Sequence, residues 1–169
     1  MSARATLVCD FFVPGAPATA GSKKGFFNKR LGRVMLVDDN PRGKLWMAQV
    51  AAFAQPVAPS VLFDQPLAIE VEFRLARPKG HAGKRGLLPS APAYPATIPD
   101  CTKLMRCLED GLTGVLWRDD ARIVCQLVRK VYAEDGKTGA AVRLWTIQAA
   151  ACEVPERAEA VLIQGGLFG

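Results

Sequence analysis

The stretch PLAIEVEFRLARP, residues 66–78, constrains the fold of this chain more than any other segment. Leu67, Ile69, Val71, Phe73 and Leu75 alternate with Glu70, Glu72 and Arg74, so one side is apolar and the other charged. A period of two is the pattern of a half-buried β-strand. Around it, ATLVCDFFVPG reads as a first strand ending at a Pro-Gly turn, and RVMLVDD as a short second one. The intervening GAPATAGSKKGFFNKRLG reads as a loop or loose hairpin. NPRGKLWMAQVAAFAQ predicts a helix with Asn40 as N-cap and Pro41 at the first helical position. Leu45, Ala48, Ala52 and Gln55 follow a helical spacing there, with Val50 and Phe53 supporting an apolar face. Towards the end, ARIVCQLVRKVYAE and GAAVRLWTIQAA predict two strands joined as a hairpin through the turn-rich EDGKTG. This order predicts an α+β, two-layer domain over residues 1–150, a mixed β-sheet with helices packed on one face, followed by a tail over 151–169. The elements do not alternate as βα units, and no phosphate-binding glycine loop follows a strand.

A chain of 169 residues, half of them apolar, is long enough to bury a real core. No run of about 18 apolar residues occurs, which argues against a membrane span. The start MSARATLVCD lacks a signal peptide's apolar region, so a cytoplasmic location is expected. Cys9, Cys101, Cys107, Cys125 and Cys152 form no C-x-x-C pair, and His81 is the sole histidine. That argues against a zinc site and against a thiol-imidazole pair. The formal net charge is +6, which favours a polyanionic partner, nucleic acid first. The basic residues cluster in two loops. One holds Lys23, Lys24, Lys29, Arg30 and Arg33; the other, Pro- and Gly-rich over 77–99, holds Arg77, Lys79, His81, Lys84 and Arg85. Both sets suit phosphate contacts, with a pair of solvated loops as the alternative. Phe26, Phe27 and Tyr94 lie in or near them and could stack on bases or pack the loops down.

Against this basic background, IPDCTKLMRCLEDGLTGVLWRDD, residues 98–120, gathers Asp100, Glu109, Asp110, Asp119 and Asp120. Asp100 follows Pro99 and stands where a helix N-cap belongs. Leu104, Leu108 and Leu112 define a buried stripe, with Met105 beside it. Lys103, Arg106 and Asp110 fall within a sector of roughly 60° on another side. WRDD follows as a turn. Asp100, Asp110 and Asp119 or Asp120 could thus meet as oxygen ligands for Mg²⁺, with Lys103 or Arg106 holding a phosphate. Alternatively Asp100 caps the helix, Asp110 pairs with Arg106, and the two aspartates fill a turn. Spacing leaves both readings open.

PDCTKLMRCLEDGLTGVLWRDDARIV resembles the signature of RusA-type Holliday junction resolvases, an Asp-rich helix opening followed by a Trp-x-Asp-Asp turn and a strand. VPGAPATAGSKK, RPKGHAGKRG and SAPAYPATIPD are similar to other parts of the same family, so the likeness runs from about residue 7 to about 148. The resemblance implies a homodimeric, Mg²⁺-dependent endonuclease, with Mn²⁺ as a substitute, that resolves four-way DNA junctions in recombination and repair. It implies catalytic roles for Asp100, Asp110, Asp120 and Arg106, with Lys103 adjacent, and metal binding by Asp100, Asp119 and Asp120. A phage or prophage origin is a further implication. One departure stands out. Thr102 and Lys103 occupy the positions of the second Asp and the Asn in the usual Asp-x-Asp-Asn motif, and Arg106 that of a common Lys. A threonine hydroxyl is a poorer metal ligand than a carboxylate, and Arg clamps phosphate without acting as a proton donor. The alternative reading is therefore a branched-DNA binding protein of this fold that does not cleave. At the chain's end, Gln164, Leu167 and Phe168 in IQGGLFG resemble the short peptide that docks on bacterial sliding clamps, which implies a clamp partner.

Overall fold

The computed structural model describes residues 4–21, 23–38 and 40–148. The tail over 151–169, with Gln164, Leu167 and Phe168, lies outside the described residues. In chain order the elements are β1 (Arg4–Pro14), β2 (Lys23–Asn28), β3 (Arg33–Asp38), α1 (Pro41–Ala54), β4 (Leu67–Leu75), β5 (Ala82–Gly83), β6 (Gly86–Leu87), α2 (Cys101–Leu112), β7 (Ile123–Tyr132) and β8 (Gly139–Gln148). A four-stranded sheet has the order β1-β8-β4-β7, while β2 with β3 and β5 with β6 form separate hairpins. The pairs β1–β8 and β8–β4 are antiparallel and β4–β7 is parallel, so the sheet is mixed. Both helices cover one face. The fold is α+β with the helices on a single side, as the element order predicts.

β4 behaves as its alternation requires. Leu67, Ile69, Val71 and Phe73 are buried in the core, whereas Glu70, Glu72 and Arg74 line the opposite face with Arg129 and Arg143. There Arg129 bridges to Glu72 at 2.7 Å and Arg143 reaches both Glu70 and Asp10 at 3.4 Å. Such partly exposed pairs each add little to stability.

Two expectations change. β7 and β8 are not a hairpin, because β4 lies between them and bonds to both. The Asp135-Gly136 turn reverses the chain, but its six-residue link passes the end of β4, where the Ala133 amide donates to the Leu75 carbonyl at 2.9 Å. Two strand spacings are only about 10 Å, well within the reach of such a link. In α1 the buried residues are Gly43, Trp46, Val50 and Ala54, while Ala48, Ala52 and Gln55 face solvent and Leu45 is 73% exposed. The helix turns to meet α2 closely: a Cβ on Gly111 would lie 2.9 Å from the Met47 carbonyl oxygen. Only glycine permits that approach, and it selects the face of α1 that carries Trp46 and Val50. The start of α1 is as its sequence predicts, with Pro41 in the first turn and the Asn40 carboxamide oxygen accepting from the Arg42 amide at 3.1 Å. Among the described residues no helix is long and apolar enough to cross a membrane.

Candidate active site

α2 is amphipathic. Leu104, Leu108 and Leu112 are fully buried beside Met105, as their spacing predicts, which leaves Thr102, Arg106 and Glu109 along one side of the exposed surface. Their i, i+4, i+7 spacing stacks them on one face. That face and the inner side of β7 form the walls of a cleft of about 440 Å³, lined by Cys101, Thr102, Met105, Arg106, Glu109, Asp120, Gln126 and Val128. Lys130, also on β7, donates from Nζ to the carbonyls of Thr97 at 2.7 Å and Pro99 at 2.8 Å. It fixes the chain just before α2 against the sheet.

Asp120 reaches the cleft because the segment after α2 folds back sharply. The Gly114 amide donates to the Trp117 carbonyl at 2.7 Å, and Gly114 has a φ of +82° that other residues adopt with strain. Trp117 and Leu116 are fully buried, and the Phe63 amide binds the Leu116 carbonyl at 2.9 Å. This anchored turn delivers Asp119 and Asp120 beside α2. Asp119 is occupied locally: its carboxylate accepts from the Ala121 amide at 2.9 Å. That backbone hydrogen bond is the largest of the effects that hold its pKa below the ordinary carboxylate range.

Glu109 is the most perturbed acid of the cleft. Burial, then the negative charges of Asp120 and Asp110, push its pKa up to about 7. The Gln126 amide Nε2 donates to its Oε1 at 2.5 Å. Two like charges brought together in a half-buried cleft repel, and protonation of one relieves the repulsion. A divalent cation would relieve it as well. Besides the Cys101 thiol and the Met105 thioether, the cleft offers oxygen donors: two carboxylates, the Thr102 hydroxyl and the Gln126 carboxamide. That set fits a hard ion such as Mg²⁺, which commonly uses one or two carboxylates and completes its shell with water and phosphate. Among the described residues no group of three or more His, Cys, Asp or Glu side chains is placed to hold a metal, and Glu109 and Asp120 are the carboxylates that line the cleft.

The sequence-predicted residues are distributed as follows. Arg106 and Asp120 line the cleft together. Asp110 is near enough to raise Glu109, but it is exposed and does not line the cleft, and it makes no ion pair with Arg106. Asp100 occupies the N-cap position of α2 without a side-chain cap bond, and its carboxylate faces Lys103 at 3.2 Å. Glu109 was not among the expected site residues. Its position seven residues after Thr102, and three after Arg106, is the signal that could have identified it.

The two basic sets differ. Lys23 and Lys24 belong to β2, Lys29 and Arg30 to the exposed turn before β3, and exposed Arg33 opens β3. In the second loop Lys79, Lys84 and Arg85 are exposed. Arg77 is not: its side chain is 14% exposed, donates to the Pro92 carbonyl at 3.0 Å, pairs with Glu134, and lies 4.1 Å from the centre of the Tyr132 ring. His81 packs edge-on against the same ring at 5.6 Å. These two side chains tie the long loop to β7.

Residues 14–144 match the family model described as Endodeoxyribonuclease RusA. Among curated proteins, the chain is 26% identical over 141 residues to the uncharacterized protein YqaN of Bacillus subtilis (strain 168), covering 79% of this chain and 94% of that protein.

Proposed function

We infer that this chain, which belongs to the RusA endodeoxyribonuclease family, cuts branched DNA by metal-assisted hydrolysis of a phosphodiester at the cleft between α2 and β7. Family membership supports a resolvase-type nuclease in general terms. The observation that carries the finer reading is the convergence of Glu109, Asp120 and Arg106 on one cleft. Glu109 and Asp120 would hold Mg²⁺, which when bound supplies charge neutralisation and an activated water. The role of Arg106 is to clamp a non-bridging phosphate oxygen with its guanidinium and offset the charge that develops there. Gln126 orients the Glu109 carboxylate through its 2.5 Å hydrogen bond. Lys103 stands by on the exposed side of α2, able to exchange its bond to Asp100 for a phosphate. The exposed basic residues of the β2–β3 hairpin and of the 79–85 segment lead the duplex arms towards the cleft, which predicts a steep salt dependence. A homodimer would present two such clefts to opposing strands of a two-fold symmetric junction.

The test is cleavage of an end-labelled four-way junction in Mg²⁺ by wild type and Asp120→Asn. The variant should bind the junction and cut it at least a hundredfold more slowly; equal cutting by both proteins would sink the assignment. One observation favours the second reading, a binder of branched DNA that does not cleave: Thr102 lines the cleft where a carboxylate would strengthen a metal site. A junction that stays bound and uncut throughout a Mg²⁺ or Mn²⁺ titration would select that reading.

A further inference from the structure

Among the described residues the β2–β3 hairpin forms a sheet of its own, separate from the main one. Phe27 and Val34 stand opposite each other across its two strands, so their side chains share one face of the ribbon. They are 61% and 63% exposed, and Leu31 in the turn between them is 54% exposed. An isolated two-stranded ribbon is marginally stable in water, and large apolar side chains left bare on one call for a partner that covers them. The surrounding charge says what kind. Between Asp10 and Asp38 the chain has no acidic residue and five basic ones, including the exposed Lys29, Arg30 and Arg33 beside the Phe27–Val34 pair. Apolar side chains flanked by cations match a nucleic acid strand, whose bases have apolar faces and whose phosphates are anionic. A second copy of the hairpin would set like charges against each other, which disfavours that occupant.

The hairpin is rooted near the start of α2. The Asn40 carboxamide donates to the Thr19 carbonyl at 2.9 Å, which ties the two ends of the segment together. A Cβ on Gly43 would lie 2.6 Å from the Thr19 carbonyl oxygen, so α1 packs directly on that root. Thr19 and Asn40 border one cavity with Pro99, the residue before Asp100 at the N-cap of α2. β2 and β3 have six residues each, an extent of about 20 Å, which keeps the tip within about one helical turn of a duplex whose phosphate occupies the cleft. We propose that this hairpin is an inserting arm: Phe27 and Val34 enter a disrupted base step at the branch, and Lys29, Arg30 and Arg33 hold the flanking phosphates. This proposal rests on the nuclease reading above. Separating stacked bases costs free energy in an intact duplex, whereas at a branch the stacking is already interrupted. The arm therefore makes binding selective for branched over linear DNA.

The experiment uses the full chain in EDTA, with four-way junctions carrying 2-aminopurine at single positions around the branch and a linear duplex of matched sequence. The fluorescence of 2-aminopurine rises when the base leaves the stack, and binding is followed in parallel by gel shift over a range of salt. Wild type should brighten the junction severalfold at one or two adjacent positions and the duplex nowhere. The double variant Phe27→Thr, Val34→Thr removes most of the apolar surface, keeps residues that favour a strand, and touches nothing in the core. It should lose the brightening and bind the junction about tenfold more weakly, with duplex binding unchanged. Arg33→Gln should keep the brightening at saturation and lower the slope of log affinity against log salt by about one. Binding without brightening at any position, or equal brightening in wild type and the double variant, overturns the proposal while leaving the nuclease reading intact. A smaller sedimenting mass for the DNA-free double variant than for wild type would assign the pair to contact between copies and overturn it as well. If wild type neither binds the junction nor cuts it in Mg²⁺, both readings fall together.

Discussion

Replacing Glu109 with Gln should stabilise the metal-free protein, and only above mildly acidic pH. Burial and the charges of Asp120 and Asp110 raise this carboxyl from its ordinary 4.5 to about 7 in the folded state. Below pH 4.5 the folded and unfolded chains both carry the proton, and the group is neutral to stability. Between 4.5 and 7 the folded protein holds a proton that the unfolded chain has released, so stability falls as pH rises. Above about 7 the full penalty is present. At about 1.4 kcal/mol for each tenfold change in acidity, the ceiling is about 3.4 kcal/mol. Glu109 is only half-buried, and solvent screening reduces that to about 1–2 kcal/mol. Glu109→Gln keeps the shape and can still accept from Gln126, so the difference isolates the charge. Urea unfolding in EDTA should give equal midpoints at pH 4.5, and at pH 8 a variant midpoint higher by about 0.5–1 M. The contribution of Asp119, whose lowered pKa adds stability above its own ordinary value, is common to both proteins and cancels. Adding Mg²⁺ at pH 8 should raise the wild-type midpoint and leave the variant nearly unmoved. A midpoint difference that is constant from pH 4.5 to 8 would refute the reasoning, since it would mean that the folded state does not hold the Glu109 proton.

Thr102→Asp adds a third carboxylate to the cleft and should lower the Mg²⁺ concentration for half-maximal junction cleavage by about tenfold, measured by titration at fixed DNA. Gly111→Ala forces a methyl group to within 2.9 Å of the Met47 carbonyl oxygen, so the helices must part, and urea unfolding should show a loss of about 1–3 kcal/mol. Removal of residues 164–169 should weaken recovery of the chain on immobilised sliding clamp at least tenfold while leaving junction cleavage unchanged; equal recovery would reject the docking peptide.

What the sequence made legible was whatever depends on neighbours along the chain. The alternation of 67–75 set a strand with one buried face, and Leu104, Leu108 and Leu112 set the inner stripe of α2. Strand pairing is a different matter. Asp135-Gly136 marks a reversal between β7 and β8, but nothing local says that β4, some 50 residues earlier, takes the place between them. The face of α1 was equally ambiguous, since Ala, Leu and Phe recur around the whole helix and the close approach at Gly111 made the choice. For the candidate site, the turn closed by Trp117 decides which of the clustered carboxylates meet, and it brings in Asp120 while Asp119 caps its own backbone. The same helix geometry bears on the departure at position 102. Seven residues bring the chain round to within about 20° of the same azimuth, about 10 Å further along the axis. Glu109 therefore lies on the face where Thr102 presents only a hydroxyl, opposite Asp120 and hydrogen-bonded to Gln126. On the nuclease reading, a carboxylate missing from the first turn of α2 is supplied from its third. Thr102→Asp and Glu109→Gln should then compensate each other: the double variant should recover metal-dependent cutting that Glu109→Gln alone loses, and no recovery would mean that the two positions do not serve one ion.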